Sequence, residues 1–166
     1  VQTCALPILG WYRIDAIEQL VELQFYRLQR EDMTIYFREP RPAQVVHDIA
    51  RLPGVLRAEP FRMVPVRLRF GHHSRRVALS GLAQDAMLRR PISADFRPQE
   101  LPPEGLLLNA KLAEILGAKV GDVVTTEVLE GARPSARVPI AGLVDEPVGL
   151  SAYMEFGALH RLLRES

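Results

Sequence analysis

The sequence has little of what usually fixes a fold or a membrane topology. It contains one cysteine, Cys4, which excludes a disulfide framework and a cysteine-based metal site. No stretch approaches the roughly 20 apolar residues that a membrane-spanning helix requires. The formal net charge is only +1, and a chain without a basic excess is not expected to have nucleic acid as its main partner. The 166 residues, 48% of them hydrophobic, suffice for one core or for two small lobes that share an interface.

Motifs for catalysis and nucleotide binding are also missing. The pattern G-x-x-x-x-G-K-[ST] does not occur, and Ser80 lacks the G-x-S-x-G surroundings of a hydrolase nucleophile. His47 has no second metal ligand nearby in the sequence. The other candidates are adjacent pairs, whose side chains point to opposite faces of a strand: Asp145 with Glu146 and His72 with His73. We therefore predict no catalytic, cofactor-binding or metal site, and no enzymatic activity.

The clearest structural pattern is a β-hairpin. Apolar and polar residues alternate from Arg62 to Phe70 and again from Arg75 to Leu79, as they do in half-buried strands. Gly71 to Ser74 forms a short polar loop between the two runs, so we expect an antiparallel hairpin at the centre of a sheet. Arginines give this hairpin a basic face, suited to lipid headgroups or an acidic partner as well as to plain solvation: Arg67, Arg69, Arg75 and Arg76.

The segment before the hairpin predicts a split β-α-β sandwich. Met33 to Phe37 is rich in aromatic and β-branched residues and reads as a strand. A short amphipathic helix from Pro42 ends at Pro53-Gly54, and Val55 to Glu59 reads as a second strand. Together with the hairpin, these elements form a first lobe at about residues 32–100.

A second, β-rich lobe is predicted at about residues 104–154, after an irregular crossing segment. Asn109 caps a helix that ends at Gly117, and a β-hairpin follows, as in small barrel-like modules in which a helix plugs one end. The predicted strands and the closing helix are Val123 to Leu129, Ala136 to Val144, Ser151 to Met154 and residues 155–165. The predicted fold class is therefore α+β, with the two lobes forming one domain at residues 32–166.

The beginning of the chain divides into two parts. Residues 1–8, VQTCALPI, fit no structural pattern, and translation of a common sequencing-adapter oligonucleotide gives the same residues, so we expect them to be a non-native artefact. Asp15 and Glu18 form a capping pattern for a helix to about Arg30. Its apolar stripe suggests either packing on its own domain or a stalk, at residues 9–31, that packs against a partner helix.

The order of these segments resembles a known family. The matching runs are FYRLQREDMTIYFREPRP, LPGVLRAEPFRMVPVRLRFGHHSRRVALSGL, GLLLNAKLAEILGAKVGDVV and VPIAGLVDEPVGLSAYM. Over nearly all of residues 14–166 they resemble the large extracytoplasmic domain of FtsX-like (MacB-type) ABC transporter permeases. The resemblance implies a MacB-like periplasmic core domain that lies between membrane helices continued outward as a stalk. It carries no catalytic residues over to this chain.

The resemblance also implies a function and partners. The chain would be the periplasmic or extracellular part of a permease in a bacterial inner or plasma membrane, here as a fragment. A separate cytosolic ABC ATPase would supply energy for export or extraction of a lipid, lipoprotein, peptide or drug-like cargo, or for signalling across the envelope. A neighbouring stalk or a second extracytoplasmic domain would be a further partner. The alternative is a freestanding binding module or small hydrolase of the cell envelope.

Overall fold

Six strands and three helices make up the computed structural model, which describes residues 30–38, 41, 44–95, 97–146 and 149–164. In chain order they are α1 (Gln44–Ala50), β1 (Phe61–Phe70), β2 (His73–Leu82), β3 (Leu106–Asn109), α2 (Ala110–Leu116), β4 (Val123–Val128), β5 (Ser135–Val144), β6 (Ala152–Glu155) and α3 (Phe156–Leu163). The predicted artefact at residues 1–8 and all of the predicted stalk helix before Arg30 lie outside these ranges. Within them, no helix has both the length and the apolar composition needed to cross a bilayer.

The strands form a closed barrel in the order β1-β2-β6-β3-β5-β4. Most neighbours are antiparallel, but β2 with β6 and β3 with β5 are parallel pairs. Inward residues of all six strands meet in one apolar core, together with residues of α2 and α3. The architecture is therefore a mixed α/β fold around a single closed sheet.

The predicted hairpin is confirmed as β1 and β2. Their register runs from the pair Phe61 and Leu82 to the pair Phe70 and His73. The connection is tighter than the predicted four-residue loop, because β2 already begins at His73 and only two residues, Gly71 and His72, form the turn. Gly71 has a φ of +56°, a conformation that glycine adopts without steric cost.

The predicted elements of the second half also form. Asn109 caps α2 by accepting a hydrogen bond from the backbone N–H of Lys111, and Gly117 ends the helix with a φ of +70°. Strands β4 and β5 pair antiparallel, as expected for the predicted hairpin. Helix α3 covers β2 with Leu159, which is fully buried.

The two strands predicted before the hairpin are not formed. Met33 to Phe37 and Val55 to Glu59 have no strand pairing, and α1 between them contains no buried residue. The reason lies in the closure of the barrel: β1 is bonded to β2 on one side and to β4 on the other, so no edge remains for another strand. The β-α-β sandwich expected in the first lobe is therefore not found in the described residues.

Strands from both predicted lobes belong to the same barrel. Pairing of β1 with β4 and of β2 with β6 joins the hairpin directly to the strands of the second half. The irregular segment of residues 83–103, predicted as a crossing between lobes, lies against the barrel and buries Ile92 and Leu101. One common core thus replaces the expected interface between two lobes.

The segment at residues 30–38 contacts the end of the barrel where β1 begins. The N–H of Arg30 donates to the carbonyl oxygen of Leu88 over 2.9 Å, and Glu31 forms an ion pair with Arg89. The ring of Tyr36 lies 5.9 Å from that of Phe61, the first residue of β1. Apolar side chains of this segment nevertheless remain 48–78% exposed: Met33, Ile35, Tyr36 and Phe37.

Candidate functional site

The outer surface of β5, β4, β1 and β2 carries a set of arginines that the register brings side by side. Residues opposite one another on paired strands point to the same face. One row runs from Ser135 through Glu127 and Arg67 to Arg76, and the next runs from Arg137 through Thr125 and Arg69 to Ser74. We call this surface the basic face: Arg67, Arg69, Arg76, Arg137 and Glu127, together with Arg75, which pairs with the buried Leu68 and lines the depression beside the hairpin turn.

Glu127 is the acidic member of the basic face, and both of its oxygens are occupied. Its Oε1 accepts from Nη1 of Arg69 over 2.9 Å, and its Oε2 accepts from Nη1 of Arg67 over 3.3 Å. The hydrogen bond from Arg69 holds the pKa of Glu127 below its ordinary value; partial desolvation opposes this, and the charges of both arginines support it. The carboxylate is therefore ionised at neutral pH and is already shared between two guanidinium groups.

Two arginines of the basic face, Arg75 and Arg76, keep their full charge available to solvent. Within the described ranges, neither Arg75 nor Arg76 makes a side-chain hydrogen bond or an ion pair, and both residues are exposed. Arg76 lies directly opposite Arg67 in the register. Like charges in directly opposed positions destabilise a sheet, so the isolated domain bears an electrostatic cost at this pair.

The hairpin turn forms one end of the basic face. A shallow depression there is lined by Arg67, Arg69, Gly71, His72, Ser74, Arg75 and Arg76. The rings of His72 and His73 lie side by side in a tilted arrangement with centroids 3.9 Å apart, so the prediction that these side chains point to opposite faces is wrong. Strand alternation does not apply to them because His72 lies in the turn, before β2 begins. Among the described residues, no three histidine, cysteine or acidic side chains are grouped to hold a metal.

A second polar cluster surrounds Glu146 at the end of β5. The hydroxyl of Tyr153 donates to Glu146 Oε1 over 2.7 Å, and Asn109 Nδ2 donates to the backbone oxygen of Glu146 over 3.2 Å. Burial raises the pKa of the Glu146 carboxyl, while hydrogen bonds from Ser151 and Tyr153 oppose the shift. Burial, and then the charge of Glu146, also raise the pKa of the Tyr153 hydroxyl. These hydrogen bonds connect Asn109, the residue before α2, with residues at both ends of the connection between β5 and β6.

The remaining residues considered from the sequence are dispersed. Asp145 is exposed while Glu146 is buried, so the two carboxyls diverge, as their adjacency predicted. Ser80 lies within β2, paired with Met63 on one side and Tyr153 on the other, and is 8% exposed. His47 lies on α1 and is exposed. The structure brings none of these together with the basic face.

Sequence reasoning found four of the five arginines of the basic face but missed Arg137 and Glu127. Alternation along the strands does place both residues outward, since Val138 and Val128 beside them are buried. The missing information was that β4 pairs with β1, which no local pattern encodes. The predicted hairpin alone therefore could not show that the basic face extends across β4 and β5.

Comparison with known proteins gives a likeness of fold. No model of a known protein family matches the sequence, and no curated protein matches it. The structure is similar to a crystal structure described as the extracellular domain of the noncanonic ABC-type transporter YknZ from Gram-positive bacteria, with a TM-score of 0.53 and 17% sequence identity. The likeness covers 74% of this chain, which spans 66% of the length of the YknZ chain. The fold is thus similar to that of an ABC transporter extracellular domain.

Proposed function

We propose that this chain is the extracytoplasmic domain of an ABC transporter permease subunit. The observation that carries the proposal is the likeness of the barrel to the extracellular domain of YknZ over 74% of the chain. The order of sequence segments, which resembles FtsX-like (MacB-type) permeases, supports the same assignment from the residues alone. The domain then lies on the periplasmic or extracellular side of a bacterial inner or plasma membrane.

The positions of the strand ends fit a domain inserted between membrane segments. The segment at residues 30–38 reaches the barrel at Phe61, where β1 begins. Phe61 pairs with Leu82, and Leu82 pairs with Glu155, the residue after which α3 starts. The contact of Tyr36 with Phe61 and the start of α3 therefore lie at the same end of the hairpin. We propose that this end faces the membrane.

The proposed role is mechanical and non-enzymatic. A separate cytosolic ABC ATPase hydrolyses ATP, and the permease passes the resulting motion to this domain through its membrane helices. The domain then acts on a lipid, lipoprotein, peptide or drug-like cargo, or relays a signal across the envelope. Its contribution is a rigid barrel with exposed binding surfaces rather than a reaction centre.

Cysteine labelling in intact cells tests the location. The full-length gene product, with its native cysteines replaced by serine and with Ala132→Cys, is expressed in its bacterial host and treated with a membrane-impermeant maleimide before lysis. Ala132 is exposed in the turn between β4 and β5, so the new thiol is accessible. We expect labelling in intact cells, and co-purification of an ABC ATPase with the tagged protein from detergent-solubilised membranes.

The matched control is the same cysteine-free protein without Ala132→Cys, which reports any labelling that does not depend on the new thiol. A cytosolic protein with an exposed cysteine confirms that the cells remain sealed. Labelling of Ala132→Cys only after lysis, or a protein that stays in the soluble fraction without an ATPase, overturns the proposal. The second outcome favours the freestanding module.

A further inference from the structure

We infer that the basic face is a docking surface for an acidic segment of another polypeptide. The basic face holds five arginines and one carboxylate, Glu127, which is already bonded to Arg67 and Arg69. The surplus of positive charge contrasts with a chain whose net charge is only +1. The partner is identified by its chemistry, a run of aspartate or glutamate side chains. The inference rests on the proposed function in one respect only, the choice of the barrel end that faces the membrane.

The spacing of the arginines suits carboxylates carried on a polypeptide. Arg67 and Arg69 lie two residues apart on one strand, about 7 Å, and Arg76 lies opposite Arg67 about 5 Å away at Cβ. Side chains two residues apart on an extended acidic segment have the same 7 Å repeat. Each guanidinium presents several N–H groups in a planar fork that matches a carboxylate.

The opposition of Arg67 and Arg76 gives a physical reason for a bound anion. Local rules of sheet stability disfavour two like charges in directly opposed positions, and such violations are expected where function requires them. Glu127 relieves the charge of Arg67 but is also shared with Arg69. An acidic partner would neutralise Arg76 and Arg75, which have no charged partner among the described residues.

The location favours a polypeptide over the surface of the protein's own membrane. Strand β1 is ten residues long, so its two ends lie about 30 Å apart. The hairpin turn is therefore remote from Phe61, the end proposed to face the membrane. The hairpin segment from Gly71 to Arg76, GHHSRR, contains no apolar side chain to insert into lipid, whereas residues 33–37 at the other end expose four large ones in succession or near succession.

Peptide binding to the purified 166-residue chain tests the inference without the transporter. The probe is a fluorescein-labelled dodecapeptide of alternating glutamate and serine, and its neutral counterpart has glutamine in place of glutamate. Anisotropy is measured at low and at physiological salt. We expect saturable one-to-one binding of the acidic peptide that weakens as salt rises, and at least tenfold weaker binding of the neutral peptide.

The diagnostic variant is Arg75→Gln/Arg76→Gln. Neither side chain is paired within the described part of the chain, so the variant should fold, and loss of the charge opposite Arg67 should leave its melting temperature equal or higher. We expect its affinity for the acidic peptide to fall at least tenfold. The matched control, Arg51→Gln/Arg97→Gln, removes the same charge from exposed sites away from the basic face and should change the affinity less than twofold.

Three results overturn the inference. Equal weakening by the control variant shows a general charge effect rather than a surface. Saturable binding to vesicles of phosphatidylglycerol and phosphatidylcholine that depends on Arg75 and Arg76, without binding of the acidic peptide, assigns the face to lipid. Absence of binding to both probes shows a solvated face. Each of these leaves the transporter assignment intact, because labelling in cells and ATPase co-purification do not depend on the peptide.

Discussion

At the scale of single residues, Glu146 is a carboxylic acid whose burial disfavours its charged form. The residue is 9% exposed, and the pKa of its carboxyl is raised chiefly because burial disfavours the charged form. The sequence named this residue only as half of an acidic pair with Asp145. It could not show that Glu146 would bond to Tyr153, because that contact requires the turn between β5 and β6 to fold back.

The sign of this shift predicts how pH acts on stability. A carboxyl with a raised folded-state pKa penalises the fold when ionised, and the penalty disappears as pH falls through that pKa toward the ordinary value. Glu146→Gln keeps an oxygen acceptor for Tyr153 and removes the charge, so its urea midpoint should exceed that of the wild type at pH 8. The advantage should shrink as the pH is lowered to about 4.5, near the ordinary glutamate pKa.

The control for this prediction is Glu146→Ala. It removes the charge and the acceptor together, so the half-buried hydroxyl of Tyr153 keeps only its hydrogen bond with Ser151, at a cost of about 1–3 kcal/mol. It should therefore be less stable than Glu146→Gln at every pH. A glutamine variant less stable than the wild type at pH 8 would mean that the ionised hydrogen bonds outweigh desolvation.

At the scale of elements, helix α3 and strand β2 meet at a glycine. A Cβ atom built on Gly81 would clash with Cδ2 of Leu159 and lie 3.2 Å from its Cβ, so any larger residue requires the Leu159 side chain to shift. A glycine inside a strand pattern is a sequence signal for such an approach, and the amphipathic pattern of α3 predicted that the helix covers a sheet. The sequence did not show that these two elements cover each other.

Gly81→Ala is expected to lower the free energy of unfolding by about 1–3 kcal/mol, as other overpacking substitutions do. Leu159→Ala should cost about 2–5 kcal/mol because it leaves a cavity in the core. In the double variant the new methyl group occupies space that Leu159 has vacated, so its loss should be smaller than the sum of the single losses. Chemical denaturation of the four proteins measures the coupling, and additive losses would contradict the contact.

At the scale of the whole molecule, local patterns predicted the strands but not their closure. Alternation predicted β1 and β2, the strands β4 and β5 were predicted as a hairpin after Gly117, and capping residues predicted α2. The pairs β1 with β4 and β2 with β6 join segments more than 55 residues apart, and no local signal specifies them. The same closure explains why Met33 to Phe37 lies outside the sheet. Its residues favour a strand, but the closed barrel leaves no free strand edge for them to pair with.

The proposed function leads to a prediction for the segment before the barrel. Among the described residues, the core cluster runs from Val64 to Leu163. The stalk helix predicted before Arg30 lies outside the described residues, and in a permease its apolar stripe is expected to pack against a partner helix rather than on its own domain. Leu20→Gln/Phe25→Gln should therefore leave the denaturation midpoint of the barrel near that of the wild type. Unfolding is measured by the fluorescence of a probe attached at Ala132→Cys in the Cys4→Ser protein.

Leu108→Ala is the control, and it is expected to lower the free energy of unfolding by about 2–5 kcal/mol because Leu108 is fully buried in β3. A loss of that size for Leu20→Gln/Phe25→Gln would show that the segment belongs to the core of a self-contained domain.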